Sequence, residues 1–451
     1  DDTIVAIATP HGRGALGVVR LSGPSAASIA GQLVDRPGPL VPRFATWCRL
    51  LADDGSSGSA IDEVVVTFFP GPRSFTGEDV VEICAHGSPV VLDAIVRSAM
   101  LGGARAAAPG EFTLRAFLNG KRDLIRCEAV RDLIDAETPL QARMAFDQLD
   151  GRLTSRIADI ESRLFDIVAR LEASLDFPDE GYHFADRAAT AKEIETVIRS
   201  VDELVKHANE GRVIREGATV AFVGRANVGK SSLFNRLVGM DRAIVSPTAG
   251  TTRDLLTERL TVHGLAVTLV DTAGRRSSED DVERQGIERA SRVEQSADVV
   301  VVVVDASTPL SADDERCLAA CASRRHVIAL NKCDLPPVVQ PGAFDSPHVV
   351  RVSARDGCGI DTLREVLVRL LRGDEDPRDH PMVSNVRHVD LLRSARTGLI
   401  SARDMTGVPD VPEELVLVEL HESLEHLGQI LGRRTADDVL RHIFERFCIG
   451  K

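Results

Sequence analysis

The sequence predicts an α/β-plus-α protein: an N-terminal α/β domain, a helical bundle split in two along the chain, and an inserted P-loop domain on a mostly parallel sheet. Three observations carry this reading. Residues 3–119 alternate short apolar runs with Gly and Pro turns. Apolar residues then recur in steps of three and four between 149 and 204, a pattern that returns only after residue 374. The block between, 215–373, alternates near-continuous apolar strands with helical stretches, as expected of a parallel sheet covered on both faces.

In the first domain, 15–21, 63–69 and 79–84 read as strands, and 25–33 and 88–100 as helices. Leu149, Leu153, Ile157, Ile160, Leu164, Ile167, Leu171 and Leu175 then mark one face of a long helix. Phe177-Pro178-Asp179-Glu180-Gly181 breaks it, and Ile194, Val197, Val201 and Leu204 resume the spacing. Leu415, Leu420, Leu424, Leu427, Leu431, Val439, Ile443 and Phe447 repeat it near the end. Two unrelated helical segments would also give this pattern. One interrupted bundle is preferred, because each half alone is too short to bury a good core. The expected boundaries are 1–119 for the first domain, 120–214 and 374–451 for the bundle, and 215–373 for the insertion. Within the insertion, strands are expected at 218–223, 267–270, 299–305, 327–331 and 349–352.

Composition limits the function. The chain of 451 residues is 43% hydrophobic and 27% charged, the balance of an ordinary globular protein. No apolar run approaches the ~20 residues that span a bilayer, so no membrane role is expected. Asp1-Asp2-Thr3-Ile4 carries acids where a targeting peptide carries bases, although a segment could have been removed before Asp1. Eight dispersed Cys, with no Cys-x-x-Cys pair, suggest reduced thiols in a cytoplasm. A net charge of −14 gives no bulk grip on nucleic acid. Any RNA contact is therefore local, or shared with a partner.

Gly224-Arg225-Ala226-Asn227-Val228-Gly229-Lys230-Ser231 fits G-x-x-x-x-G-K-[ST] between a predicted strand and helix. Its amides, through Ser232, can cradle phosphates; Lys230 can reach the β and γ oxygens; Ser231 can ligate Mg²⁺. Asp271-Thr272-Ala273-Gly274 follows the 267–270 strand, where an Asp can hold the Mg²⁺ shell and a Gly amide can meet the γ-phosphate. Asn331-Lys332-Cys333-Asp334 follows another strand. The Asp334 carboxylate can accept two guanine N–H groups that adenine lacks, which selects GTP or GDP. Ser353-Ala354-Arg355 closes the base pocket. All four in order at strand ends mark a Ras-like GTPase domain. Arg275 stands where Ras-like enzymes carry a water-orienting Gln, so another residue must orient the water. Gly250-Thr251-Thr252-Arg253-Asp254 supplies the switch, with Thr252 the natural second Mg²⁺ ligand. Asn227 could bind a monovalent cation beside the phosphates, or simply stabilise the loop.

With its flanking domains, the chain closely resembles the MnmE (TrmE) family of tRNA modification GTPases over essentially its whole length. The specific motifs are Thr9-Pro10-His11-Gly12-Arg13-Gly14, Ser74-Phe75-Thr76-Gly77-Glu78-Asp79, Pro109-Gly110-Glu111-Phe112, Arg115-Ala116-Phe117-Leu118-Asn119, Asp176-Phe177-Pro178-Asp179-Glu180 and Phe447-Cys448-Ile449-Gly450-Lys451. The resemblance implies that the first domain binds folate and dimerises. It also implies an FAD-dependent partner, MnmG (GidA), in a hetero-oligomer. Together they would add an aminomethyl or carboxymethylaminomethyl group to carbon 5 of the tRNA wobble uridine. The carbon would come from a tetrahydrofolate derivative in its 5-formyl or methylene form, the nitrogen from ammonium or glycine. Carried over by position, Arg20, Glu82, Lys121 and Lys451 match the folate site, as suits a ligand with carboxylates. Asn227, Ser246, Thr248 and Thr251 match a K⁺ site, and Glu283 matches the residue that orients water. Cys448, if the terminal helix packs against the first domain, would lie beside the one-carbon unit as nucleophile or proton carrier, or be a packing residue. The alternative function is a ribosome-assembly GTPase that binds RNA without modifying it. No Gly-x-x-Gly loop in a basic setting supports that. A membrane-remodelling GTPase would need a lipid-binding segment, which the sequence lacks.

Overall fold

The structure is a computed structural model that describes residues 2–51, 60–176, 187–240, 256–271, 297–373, 381–408, 411–433 and 435–451. The chain divides into two compact units: Asp1–Arg131 with Gly428–Lys451, and Asp132–Leu427.

The first unit runs β1 (Ile4–Ile7), β2 (Gly14–Ser22), α1 (Ala26–Gln32), β3 (Val34–Asp35), β4 (Thr46–Leu51), β5 (Ala60–Phe69), β6 (Val80–Gly87), α2 (Pro89–Leu101), β7 (Arg105–Ala106) and α3 (Glu111–Leu118). α4 (Leu124–Ile134) follows, and the boundary with the second unit falls inside it, after Arg131. The strands form one sheet in the order β3-β4-β5-β6-β2-β1-β7, antiparallel except where β7 joins β1. Strand alternation decides its two faces. Val19, Leu21, Val81 and Ile83 point inward and pack with Ile29, Leu92 and Ile95 of α1 and α2. α2 lies so close that a Cβ on Gly17 would meet the Leu92 side chain at 2.6 Å. Arg20 and Glu82 stand opposite one another, offset by one position from the buried set and therefore on the other face.

The second unit begins with α5 (Pro139–Asp150), α6 (Arg152–Asp176), α7 (Arg187–Lys206) and α8 (Ala208–Glu216). The alternating block follows as β8 (Ala218–Val223), α9 (Lys230–Met240), β9 (Leu256–Val262), β10 (Leu265–Asp271), β11 (Val299–Asp305), α10 (Ala312–Cys321), β12 (His326–Asn331), β13 (Val349–Arg351) and α11 (Ile360–Arg372). α12 (Val386–Thr406) and α13 (Glu413–Leu431) come next, and α14 (Asp437–Phe444) belongs to the first unit. The sheet order is β13-β12-β11-β8-β10-β9, all parallel apart from β9 against β10. Val299 through Val304 is almost wholly buried because both sheet faces are covered.

The helices before and after this block pack together. α12 lies on α7, where Arg403 pairs with Glu195 at 2.8 Å, and His421 of α13 meets Glu172 of α6 at 2.9 Å. Three features depart from the sequence reading. Leu149 belongs to α5, not to the long helix, because Gly151 takes a left-handed φ of 95° and starts a new axis. Leu415 and Val439 are 51% and 41% exposed rather than core positions. α12 carries no bold leucine repeat, yet His388, Leu392, Ala395, Leu399 and Ala402 make its buried stripe. The 177–181 helix breaker lies outside the described residues.

Candidate functional sites

The phosphate loop joins β8 to α9, so the amides of Gly229, Lys230 and Ser231 gather at a helix N-terminus, a natural anion seat. Gly224 must be glycine: its φ is 145°, and a Cβ there would meet the Val303 carbonyl at 2.4 Å. Lys230 Nζ donates to the Gly224 and Arg225 carbonyls, both at 2.7 Å, which keeps the ammonium curled over the loop. Ser231 Oγ donates to Asp271 Oδ2 at 2.7 Å, and Asp271 is fully buried at the end of β10. A hydroxyl and a carboxylate side by side are the hard oxygen donors that suit Mg²⁺. Among the described residues no cluster of three or more His, Cys, Asp and Glu ligands occurs.

The base pocket is built by cross-ties. Asn331 Nδ2 donates to the Val228 carbonyl at 2.8 Å, and Asn331 Oδ1 accepts from the Ala354 amide at 3.1 Å. One side chain thus clamps the phosphate loop to the 353–355 turn. A Cβ on Gly229 would lie 2.3 Å from Asn331 Nδ2, so the clamp dictates glycine there. Lys332 takes a positive φ of 65° and reaches back to Asp305 Oδ2 at 2.6 Å. Burial pushes the Asp305 carboxyl up, but Lys332 and two hydrogen bonds from Ser307 outweigh it and hold the group below the ordinary carboxylate range. Asp334 Oδ1 accepts from Ser353 Oγ at 2.8 Å, while Arg355 Nη1 stands 4.0 Å from Asp334 Oδ2. The carboxylate is thereby oriented and retains acceptor capacity for a base edge.

One residue escaped the sequence reading. Arg225 donates to Asp314 Oδ2 at 3.0 Å and Thr308 Oγ1 at 2.8 Å. Asp314 is also half of the capping box that starts α10 with Ser311, so the first variable position of the phosphate loop is pinned to a second helix. Nothing in the motif could have signalled this, because its partners lie 83 and 89 residues away. Asn227 has a left-handed φ of 64°, a backbone turn that Asn tolerates better than most residues. Ser246, Thr248, Thr251, Thr252, Thr272, Ala273, Gly274, Arg275 and Glu283 lie outside the described residues.

A second cluster lies in the first unit. Arg20 Nε and Nη2 donate to Glu82 Oε1 at 2.9 and 2.7 Å, and Nη1 donates to the Gly450 carbonyl at 3.4 Å. The guanidinium is 5.1 Å from the Phe75 ring centre and 5.7 Å from that of Phe112. Arg122 approaches Phe75 from 5.3 Å. Phe75 is presented by a braced turn: Ser22 Oγ contacts Thr76 Oγ1 and Glu78 Oε2, both at 2.7 Å, and Arg115 pairs with Glu78. The chain end is docked by Phe444 and Phe447 against Leu124 and Cys127. Gly450, at φ 93°, passes so near Ile7 that a Cβ would fall 2.2 Å from its carbonyl. Burial and the Arg20 charge push the Lys451 ammonium down, against the pull of Glu82. Arg20, Glu82 and Lys451 therefore converge. Lys121 is exposed, with its stem beside Gly77. Cys448 is exposed, and its carbonyl accepts from the Gly110 amide at 3.4 Å.

Residues 3–121 match the family model described as "GTP-binding protein TrmE N-terminus", and residues 124–448 match "MnmE helical domain". The chain is 44% identical to the tRNA modification GTPase MnmE of Koribacter versatilis, over 100% of this chain and 99% of that one. It is 42% identical to the protein of the same description in Chloroflexus aurantiacus and 39% to that of Aquifex aeolicus, each over 100% of both chains.

Proposed function

The chain belongs to the tRNA modification GTPase MnmE family and is a GTP hydrolase that takes part in tRNA modification; from that premise we propose that it is a K⁺-activated GTPase that modifies carbon 5 of the wobble uridine. It works as a homodimer in the cytoplasm with the FAD-dependent MnmG. Together they attach an aminomethyl or carboxymethylaminomethyl group whose carbon comes from a tetrahydrofolate derivative. The division into a folate-binding domain at 1–119, a bundle at 120–214 and 374–451, and a GTPase domain at 215–373 is part of this proposal.

The observation that carries the nucleotide assignment is the Asn331 clamp, which sets the phosphate loop and the Asp334–Ser353 base pocket in one frame. In hydrolysis, Lys230 and the α9 amides neutralise charge on the phosphate oxygens. Ser231 and Thr252 would hold Mg²⁺, with Asp271 in its shell. Asn227, Ser246, Thr248 and Thr251 would hold K⁺, whose charge would offset developing phosphate charge as an arginine finger does in another GTPase. Glu283 orients the attacking water. Bound folate supplies the one-carbon unit; Arg20, Lys121 and Lys451 hold its anionic groups, Glu82 fixes Arg20, and Cys448 holds or moves a proton or acts as nucleophile. Dimerisation is supported by a row across β4, β5, β6 and β2 of Trp47, Val65, Cys84 and Val18, with Trp47 61% exposed.

Two measurements test the reading. GTP turnover should fall at least tenfold when Na⁺ replaces K⁺; equal rates refute cation activation. Wobble nucleosides from cells lacking the protein should lose the carbon-5 group by mass spectrometry, and unchanged nucleosides refute the RNA assignment.

A further inference from the structure

Cys333 lies inside the 331–334 base-recognition loop, and Cys358 in the turn that follows Ser353-Ala354-Arg355. Backbone bonds tie each of them to the same Val352–Ser353 junction. The Cys333 amide donates to the Val352 carbonyl at 3.1 Å, and the Ser353 amide donates to the Cys358 carbonyl at 2.9 Å. The 353–359 turn is stiff. Gly357 N donates to Ser353 O at 2.9 Å, Asp356 N to Ser353 Oγ at 3.3 Å, and Cys358 N to Asp356 Oδ1 at 3.2 Å. Gly359, at φ 72°, packs onto the Arg351 carbonyl. The Cys358 and Cys333 side chains interact across this junction. Cys358 is exposed and Cys333 half-buried, and both are free thiols.

We infer that Cys333 and Cys358 are a reversible dithiol–disulfide pair whose closure weakens guanine-nucleotide binding; this rests on the guanine-pocket reading above. The oxidant is a low-molecular-weight disulfide. Cys358, the exposed thiol, attacks it as thiolate and forms a mixed disulfide, releasing one small thiol. Cys333 then displaces the second small thiol and completes the bridge. The two cysteines lose two electrons and two protons, and the small disulfide takes up both as two thiols. Burial pushes the Cys333 thiol up, and the second step needs its thiolate, so that step quickens as pH rises.

The consequence follows from covalent geometry. A bridge needs sulfurs ~2.05 Å apart, whereas two thiols in contact sit well beyond that. Closing the gap draws Cys333 toward a turn that is already tightly tied. Its neighbours, Lys332 and Asp334, are the residues whose positions against Asp305 and Ser353 form the base pocket.

The test uses the full-length protein, first reduced and then incubated with glutathione disulfide at pH 8. Non-reducing peptide mapping should show a Cys333–Cys358 cross-link. The Kd for GDP should rise at least tenfold and return on adding dithiothreitol. Cys358→Ser should bind GDP as the reduced wild type does, before and after the disulfide. Glutathione attached to Cys358 without a cross-link, a cross-link with unchanged Kd, or equal loss in Cys358→Ser would each overturn the inference. Reduced wild-type protein that fails to bind GDP would instead overturn the guanine-site reading, and this inference with it.

Discussion

The two candidate sites are built in opposite ways. In the nucleotide pocket, short contiguous motifs at the ends of parallel strands supply nearly every group, and tertiary contacts such as the Asn331 clamp only align them. In the first unit the site is assembled from distance: Arg20 and Glu82 meet across two strands, and Gly450 arrives 430 residues later in the sequence. A parallel sheet places its loops at one edge, so local text is enough to write a site there. An antiparallel face takes its residues from wherever register and the chain's return place them. The first kind of site should be sensitive to single functional atoms, the second to the docking that brings its parts together.

The largest effect is expected at Asp334. Asp334→Asn removes the acceptor that two guanine N–H groups require, and GTP affinity should fall on the order of 10³-fold or more. Affinity for xanthosine triphosphate should rise; competition binding with both nucleotides measures it, and unchanged GTP preference would break the motif-based account. Next comes Gly450→Ala. A Cβ against the Ile7 carbonyl, at a left-handed φ, should undock the chain end and destabilise the first unit by about 2–3 kcal/mol. Thermal unfolding should show this while GDP affinity stays at the wild-type value.

Arg20→Ala should be milder in stability but direct in binding. Loss of one charge-assisted contact corresponds to about 1.5–3 kcal/mol, so 5-formyltetrahydrofolate should bind more than tenfold more weakly by calorimetry, again with normal GDP binding. A parallel loss of GDP affinity would erase the contrast between the sites.

The smallest expected effect is a pH dependence. The folded Lys451 ammonium titrates below its unfolded value, so the folded state binds fewer protons between the two. Stability of the first unit should therefore rise as pH climbs through that alkaline window. Binding of a carboxylate-bearing folate, which favours the charged ammonium, should weaken over the same range. Lys451→Gln should flatten both slopes.

Much of this was legible in the residues themselves. Val299 to Val304 could only be an interior strand, and the phosphate-loop pattern supplies the glycines that the Val303 carbonyl demands at 224 and the Asn331 side chain at 229. The first unit's sheet was seen only in part: 15–21, 63–69 and 79–84 appear as strands, whereas Ile4–Ile7 is too short and Thr46–Leu51 too mixed to announce itself. α12 hid because its stripe uses Ala395, Ala402 and His388 beside its leucines. The break at Gly151 hid because apolar spacing continues across it even though the axis does not. Pairings such as Arg225 with Asp314 are set by tertiary folding, and no local pattern encodes them.

The docked chain end has a consequence in time. Residues 428–451 complete the first unit, yet they are synthesised about 300 residues after its other strands and helices. At ~5–20 residues per second, the early sheet must wait on the order of 15–60 s with Leu124 and Cys127 uncovered. The Asp132–Leu427 unit has no such wait, since all of it has been made before that final segment. The protein therefore acquires its nucleotide-binding half first, and the half assembled from both ends of the chain matures last.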